Sequence, residues 1–441
     1  MAPPSILYHN SAKTVVLLDL PRSIEEAQIL SSQLHHGNDG ENNNKTTLRA
    51  LISAPPPTAP FALPEPKSGA PSASSPAAQV AELMTLAAVE SALDDIATSY
   101  DGPWYLPRHH ASSTSSPSAP PTLASTDKDS DMIPRTQHNH ENDYCPDKAD
   151  KTKPTSSHDV KPIPTNITKP TSDCQNDKQP SPTNIQTRTL DNYHIPPLSR
   201  YLHGTISATL PAFQSFVPPL TFDLIVLDPP WPNRSAKRKR GANSYDLAPD
   251  LTSTQSLLAS IPVASCLSPS GLVAVWVTNR PSLVQLLTEV IFEQHWHLEL
   301  VAEWTWLKVT AEGEPVSSPE SAWRKPWEKL LVARPRRRAL GAGPSRDGGG
   351  DGGVKEKAKA VMAIPNKVMV TVPDVHSRKP NLRGLFEEFL GTDYSGLEVF
   401  ARNLTAGWWG WGNQVLHFQA KECWVERGEN KKGSAETADL D

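Results

Sequence analysis

The tetrapeptide Asp228-Pro229-Pro230-Trp231 follows directly on the apolar run Phe222-Asp223-Leu224-Ile225-Val226-Leu227. A short, continuously apolar run closed by a turn signal reads as a buried parallel strand. The carboxyl end of such a strand is where open α/β sheets bind their ligands. Two consecutive prolines fix two φ angles and remove two N–H donors, so the local carbonyls point outward as rigid acceptors. A carboxylate, fixed carbonyls and an aromatic plane suit a flat base with an exocyclic amine, which donates two hydrogen bonds while the ring stacks. That amine is a poor nucleophile, because its lone pair is delocalised into the ring. Hydrogen bonds from both hydrogens to the Asp228 side chain and the Pro229 carbonyl, with Trp231 shaping the base pocket, would turn the lone pair outward. Orientation of this kind removes about 7–11 kcal/mol of barrier at best. The plainer reading of the same residues is a Pro-Pro turn that ends a strand.

Other residue types narrow the chemistry. The run Arg234-Ser235-Ala236-Lys237-Arg238-Lys239-Arg240 stands immediately after the tetrapeptide, where it would grip phosphates beside a target base. A solvated charge run or a nuclear-import signal is compatible with the same residues. Arg334, Arg336, Arg337 and Arg338 form a second basic cluster. Trp408-Trp409-Gly410-Trp411 could stack bases, although tryptophans in an α/β domain are more often core. His376 and His417 lack a second ligand at metal spacing, so no metal is expected. No G-x-G-x-x-G loop follows the first strand, so a dinucleotide fingerprint is absent.

The elements that must position these residues lie mostly in the C-terminal half. Of 441 residues 44 are proline, crowded into the first half, whereas eleven of the 12 tryptophans lie from Trp231 onward. Aromatic side chains supply core area, which puts the well-packed domain late in the chain. The four cysteines (Cys145, Cys174, Cys266, Cys423) are far apart, without C-x-x-C spacing, as in a reducing compartment without a disulfide frame. No apolar run approaches the length of a membrane span. Met1 to Leu20 carries Asp19 and no basic n-region, which is unlike a signal peptide. The formal net charge of -5 argues against a nucleic-acid partner only globally, because local clusters decide phosphate binding.

Patterning predicts strands over 222–228, Gly271–Val277, Leu300–Lys308, Leu330–Ala333, Lys367–Val372 and Leu397–Ala401, with Val415–Phe418 last. Helices are expected over Ser253–Ser260, Ser282–Gln294 and Leu382–Leu390. This alternation argues for an α/β fold with a doubly wound sheet, mixed at one edge. Residues 1–110 read as a small N-terminal region with a strand at Thr14–Leu18, a helix at Ser23–Leu34, a Pro/Ala/Ser spacer and an amphipathic helix at Ala78–Ser99. That last helix either packs on the catalytic domain or belongs to its own unit. Residues 111–190 have too few apolar side chains to offset ordering entropy and read as a disordered linker. The catalytic domain is expected over 191–423, able to stand alone, with a Gly-rich insertion at 339–356 and a polar tail at 424–441.

The tetrapeptide after a strand resembles the signature of the MT-A type adenine-N6 methyltransferases. Trp276-Val277-Thr278-Asn279-Arg280, Ala302-Glu303-Trp304, Lys325-Pro326-Trp327-Glu328, His376-Ser377-Arg378-Lys379-Pro380, Leu397–Leu404, Gly407-Trp408 and Trp411-Gly412-Asn413-Gln414 resemble one branch, the methyltransferase-like protein 4 group. The resemblance runs from about Tyr193 to Phe418. It implies a Rossmann-like S-adenosylmethionine-dependent methyltransferase fold, with cofactor contacts C-terminal to the catalytic motif. Asp228, Pro229, Pro230 and Trp231 would be catalytic. Lys379 would meet the methionine carboxylate and Asp228 the ammonium. Glu398, Arg402 and Asn403 would sit near the ribose, and Asn413 and Gln414 would read ribose hydroxyls and the cofactor's adenine. An acidic residue that often precedes an Ile in the family is replaced here by Thr205, which leaves Ile206 as a backbone contact. Arg234, Lys237, Arg238, Lys239, Arg240 and Lys325 would bind nucleic acid. The implied substrate is RNA, of the U2 small nuclear RNA type with a 2′-O-methyladenosine target. The implied enzyme acts as a monomer in the nucleus or also the cytoplasm. DNA adenine methylation is the runner-up, and a non-catalytic RNA-binding subunit is the alternative of another class, which the intact tetrapeptide argues against.

Overall fold

In the computed structural model the run Phe222–Leu227 is a buried strand inside a ten-stranded sheet. The structure describes residues 4–35, 49–62, 75–110, 191–217, 219–232, 250–321, 324–336 and 363–426. The linker 111–190, the insertion 339–356, the basic run Arg234–Arg240 and residues 427–441 lie outside them. In chain order the elements are β1 (Ile6–His9), β2 (Val15–Leu18), α1 (Leu20–Glu26), α2 (Ser31–His35), β3 (Arg49–Leu51), α3 (Pro76–Ser99), β4 (Arg200–His203), α4 (Ile206–Gln214), β5 (Phe222–Leu227), α5 (Leu251–Ser260), α6 (Val263–Cys266) and β6 (Leu267–Val277). There follow α7 (Pro281–Gln285), which passes into a π-helical segment (Leu286–His295), then β7 (Leu298–Lys308), β8 (Trp327–Pro335), β9 (Lys367–Thr371), α8 (Arg383–Leu390), β10 (Gly396–Val399), β11 (Trp409–Gly412) and β12 (Trp424–Glu426).

The strand order is β1-β2-β9-β7-β8-β6-β5-β10-β11-β4. All neighbours pair in parallel except β1 with β2 and β8 with its two partners. Alternate residues serve opposite faces, as the pleat requires. Leu224 and Val226 of β5 join a cluster with Leu20 and Ile24 of α1 and Leu385 and Phe386 of α8. Phe222, Ile225 and Leu227 join another with Ile206 and Phe213 of α4, Leu258 of α5 and Ile291. Helices therefore cover both faces of a mostly parallel sheet, which is the doubly wound, Rossmann-like arrangement. Among the described residues no helix is long and apolar enough to cross a membrane.

The N-terminal region belongs to this sheet. Val15, Val16 and Leu17 pair in parallel with Val368, Met369 and Val370. Helix α3 buries Val89, Ala92 and Ile96 against Val15, Leu17, Val368 and Val370, so it packs on the catalytic sheet. Its first turns differ from the expectation, since Val80, Leu83 and Met84 are exposed. The expected helix Ser23–Leu34 is two pieces, α1 and α2. The first starts at Asp19, whose Oδ1 accepts from the Arg22 N–H at 2.9 Å.

At the C-terminal end, Val415–Phe418 is not a strand, and the strand just before it is β11. Its alternation of Trp and Gly hides a strand from apolar counting. Trp411 stacks on Phe213 with centroids 4.2 Å apart, while a Cβ at Gly410 would come within 2.7 Å of Val415. The short strand β4 pairs with β11 and has no apolar run to mark it. The expected polar tail begins with β12, which pairs with β3 and buries Trp424.

Candidate active site

The parallel strands bring their carboxyl ends to one edge. There β5 delivers Asp228, β6 delivers Asn279 and Arg280, β10 delivers Arg402 and β11 delivers Asn413. Because β8 runs the other way, its first residues Trp327 and Glu328 reach the same edge beside Lys308 at the end of β7.

The turn after β5 is held from two sides. The Trp231 N–H donates to the Pro229 carbonyl at 2.8 Å, which closes a tight turn across Pro230 and leaves that carbonyl one lone pair. The Trp231 indole turns inward, 8% exposed within the core cluster of α4, α5 and β6. Its Nε1–H donates to the Trp276 carbonyl at 2.9 Å. Arg280 donates to the Pro232 carbonyl at 3.1 Å. Trp231 therefore anchors the turn from behind. It offers no open face for stacking, a correction to the sequence reading that follows from the depth of the apolar layer under β5.

Four charges of alternating sign run outward from that turn. Lys379 Nζ donates to Asp228 Oδ1 at 3.0 Å and lies 3.2 Å from Glu328 Oε2. Lys308 Nζ donates to Glu328 Oε1 at 2.5 Å. Trp276 and Trp306, 5.5 Å apart and edge to face, form the floor. Lys379 sits 5.4 Å from the first ring and Lys308 4.3 Å from the second, within cation–π range. Burial works against the charged forms, yet the two lysines overcome it and pull Glu328 down to about 2. Burial likewise opposes the Lys379 charge, and Asp228 and Glu328 reverse that and raise it. On the other side of Asp228, burial first and then the Asp228 charge push Glu398 up to about 8, with Arg402 pulling against them. One carboxyl of the site is thus kept charged and another neutral near pH 7.

Comparison with known proteins gives this edge a family. Residues 222–414 match the MT-A70 family. The chain is 39% identical to the N6-methyladenosine RNA methyltransferase MTA1 of Cryphonectria parasitica, over 96% of this chain and 94% of that protein. It is 39% identical to MTA1 of Pyricularia oryzae over 95% and 96% of the two chains. It is 36% identical to the human N(6)-adenine-specific methyltransferase METTL4, over 55% of this chain and 47% of that one. The chain belongs to the MT-A70 family. As an MT-A70 protein it is an adenine-N6 methyltransferase, and it resembles the methyltransferase-like protein 4 group over about half of its length.

The remaining residues of interest fall into three groups. Those on the cofactor side line the carboxyl edge of β10, β11 and β4. Gln414 Oε1 is buried with no hydrogen-bond partner among the described residues. An acceptor desolvated and unmatched there fits a ligand donor, such as an adenine amine or ribose hydroxyl. Asn413 is exposed and Asn403 half-buried. Arg402 donates to the Ser377 carbonyl at 3.0 Å. Ile206 buries its side chain in the core and opens α4 behind Thr205, whose Oγ1 accepts from the Ala208 N–H. This set fits S-adenosylmethionine, which carries donors and hydroxyls for these amides. Lys379 already serves two carboxylates with its ammonium, which has three N–H donors in all.

The second group is the nucleic-acid set. Arg234, Lys237, Arg238, Lys239 and Arg240 lie outside the described residues. Lys325 is a correction: its ammonium pairs with Glu82 of α3, donates to the Pro319 carbonyl at 3.0 Å and sits over the Trp327 ring. A lysine so engaged presents no open charge to a phosphate. Arg334 and Arg336 pair with Glu299 and Glu293.

The third group escapes sequence reading. Lys308, Glu328, Trp276 and Trp306 shape the site, yet no local pattern marks them as a unit. Trp276 and Glu328 stand inside the blocks Trp276–Arg280 and Lys325–Glu328, which is the available signal. Among the described residues no cluster of His, Cys, Asp and Glu could hold a metal ion.

Proposed function

We propose that this chain transfers a methyl group from S-adenosylmethionine to the N6 amine of adenine in RNA. The observation that carries the reading is Asp228, whose Oδ1 is fixed by Lys379 at the end of β5 beside the Pro229 carbonyl. With Oδ1 occupied, Oδ2 and the remaining Pro229 lone pair are two acceptors of fixed direction for two amine hydrogens. Such preorganised acceptors turn the amine lone pair out of conjugation without reorganising during the reaction. When bound, the cofactor supplies the sulfonium methyl group. Methylation releases one amine proton, and Asp228, already an acceptor of that hydrogen, is the group we assign to take it. Gln414, Asn413, Asn403, Arg402 and Glu398 hold the cofactor's nucleoside in this reading.

RNA is favoured over DNA by the relatives that this chain matches over nearly its full length, both named as RNA methyltransferases. The finer substrate is a 2′-O-methyladenosine of U2 small nuclear RNA, reached in the nucleus, with the run Arg234–Arg240 gripping adjacent phosphates. The test is incubation of the full chain with labelled S-adenosylmethionine and matched RNA and DNA oligonucleotides, followed by mass spectrometry of the nucleosides. N6-methyladenosine from the unmodified RNA, and N6,2′-O-dimethyladenosine in greater yield when the target adenosine carries 2′-O-methyl, are the expected results. Label confined to deoxyadenosine would move the assignment to DNA, and no methylated adenine in either would overturn the reading.

A further inference from the structure

The segment that ends in Lys379 is held by residues from the far end of the sequence. Beyond β9 the chain runs from Val372 to Lys379 as an irregular connection. Arg108 lies over 260 residues upstream and donates from Nη2 to the Val372 carbonyl at 2.9 Å. Its Nη1 donates to the Pro373 carbonyl at 2.8 Å and the Ala54 carbonyl at 3.0 Å. The Ala54 N–H donates in turn to Asp374 Oδ1 at 2.7 Å. Arg378 closes the circuit, with Nη1 at 2.7 Å from both Asp374 Oδ2 and the Ile52 carbonyl. Two residues before Arg108 the backbone is held by Asp19, whose Oδ2 accepts from the Leu106 N–H at 2.9 Å. On the opposite side, Arg402 holds the carbonyl of Ser377, a residue at φ 75.

A left-handed serine and an irregular connection have no ladder of their own, so their shape depends on these side-chain bonds. Lys379 is the next residue but one, and its ammonium must arrive within hydrogen-bond reach of Asp228. A guanidinium that bonds three carbonyls fixes both direction and distance, which a single-point ammonium cannot do.

We propose that Arg108 is a positioning residue of the active site, acting through the segment 372–379 to set where Lys379 meets Asp228. It touches neither Lys379 nor Asp228. The kinetic part of the inference rests on the methyl-transfer reading; the positional part does not.

The test uses the full chain carrying Arg108→Met, with Arg108→Lys in reserve should that variant fail to fold and Ile96→Ala in α3 as a destabilised control. Below the melting temperature, kcat for an adenosine oligonucleotide should fall at least about tenfold in Arg108→Met, as misplaced catalytic groups do. Its KM should stay within about twofold, because the lesion is in orientation. Ile96→Ala should keep kcat. Amide hydrogen exchange should quicken over 374–380 and stay unchanged over 224–227. Arg108→Lys should fall between wild type and Arg108→Met in both measurements. Unchanged exchange over 374–380, or an equal loss of kcat in Ile96→Ala, would overturn the proposal. A wild-type chain that methylates no nucleic acid would sink the functional reading alone, and hydrogen exchange would still decide the positional one.

Discussion

Lys379 and Asp228 meet at 3.0 Å across 151 residues of sequence. The hydrogen bond fixes one carboxylate oxygen and leaves the other for a ligand. Glu328, on the far side of the same ammonium, keeps Lys379 from being drawn wholly onto Asp228.

Asp228→Ala should abolish adenine methylation, with a loss of at least about a hundredfold in turnover. The lysine keeps Glu328 as a partner, so the melting temperature should change little. Trp231→Ala is expected to behave differently. Removing a buried aromatic costs about 3–5 kcal/mol, so this variant should melt earlier as well as lose activity. Calorimetry beside turnover separates the two, and an Asp228→Ala enzyme retaining a tenth of wild-type turnover would be incompatible with the mechanism.

Glu398 gives the fold a pH dependence of definite sign. Its folded pKa, about 8, lies above its unfolded value, so the folded state binds the extra proton in between. The stability it contributes is complete below the unfolded pKa and is lost as pH rises through about 8. Glu398→Gln should therefore flatten the decline in denaturant midpoint between pH 5 and pH 8.5.

Glu328 acts in the opposite sense. With its folded pKa near 2, it contributes stability above its unfolded pKa and loses it as pH falls toward 2. Glu328→Gln should be less acid-sensitive than wild type, as measured by denaturant midpoints between pH 3 and pH 6. An unchanged acid slope would count against the Lys308–Glu328–Lys379 arrangement.

Gln414→Ala separates binding from folding. Because Oε1 is buried without a partner among the described residues, its removal should leave the melting temperature level or slightly higher. Affinity for S-adenosylmethionine should fall about tenfold, the cost of one good hydrogen bond, by titration calorimetry. A loss of stability with unchanged affinity would place the amide in the core.

Replacing Lys237, Arg238, Lys239 and Arg240 with neutral residues should weaken RNA binding far more than cofactor binding. Every phosphate that goes unneutralised flattens the salt dependence by roughly 0.7 to 0.9 log units per decade of salt. Lys325→Ala, by contrast, should leave that slope unchanged, since its charge is taken by Glu82. An unchanged slope in the quadruple variant together with exclusion from the nucleus would make the run an import signal only.

What the sequence discloses here follows from how local each signal is. Strands β5 to β10 are apolar runs, and counting finds them. The Asp-Pro-Pro-Trp turn is legible because four adjacent residues carry the whole pattern. Strand β11 escapes because Gly410 and Gly412 break the apolar run and read as turn residues, although Gly410 makes room for Val415 and Leu404. The Lys308–Glu328–Lys379 row escapes for another reason: its members come from three separate segments, and a lysine facing solvent and one locked between carboxylates look alike in sequence. Lys325 shows the same ambiguity from the other side, a cation read as open that the fold has closed.

The parallel pairing of β2 with β9 sets a timetable for synthesis. Val15 and Val368 are about 350 residues apart along the chain, an interval of roughly 20–70 s at ordinary translation rates of about 5–20 residues per second. For that time Val15-Val16-Leu17-Leu18 has only β1 to pair with and keeps its other edge open. The row Val-Val-Leu-Leu is then a natural client for a holding chaperone, and its open edge is filled only when β9 emerges. A transcript ending before Met369 would yield a protein that carries this edge permanently, so premature termination should produce aggregation instead of a smaller working enzyme.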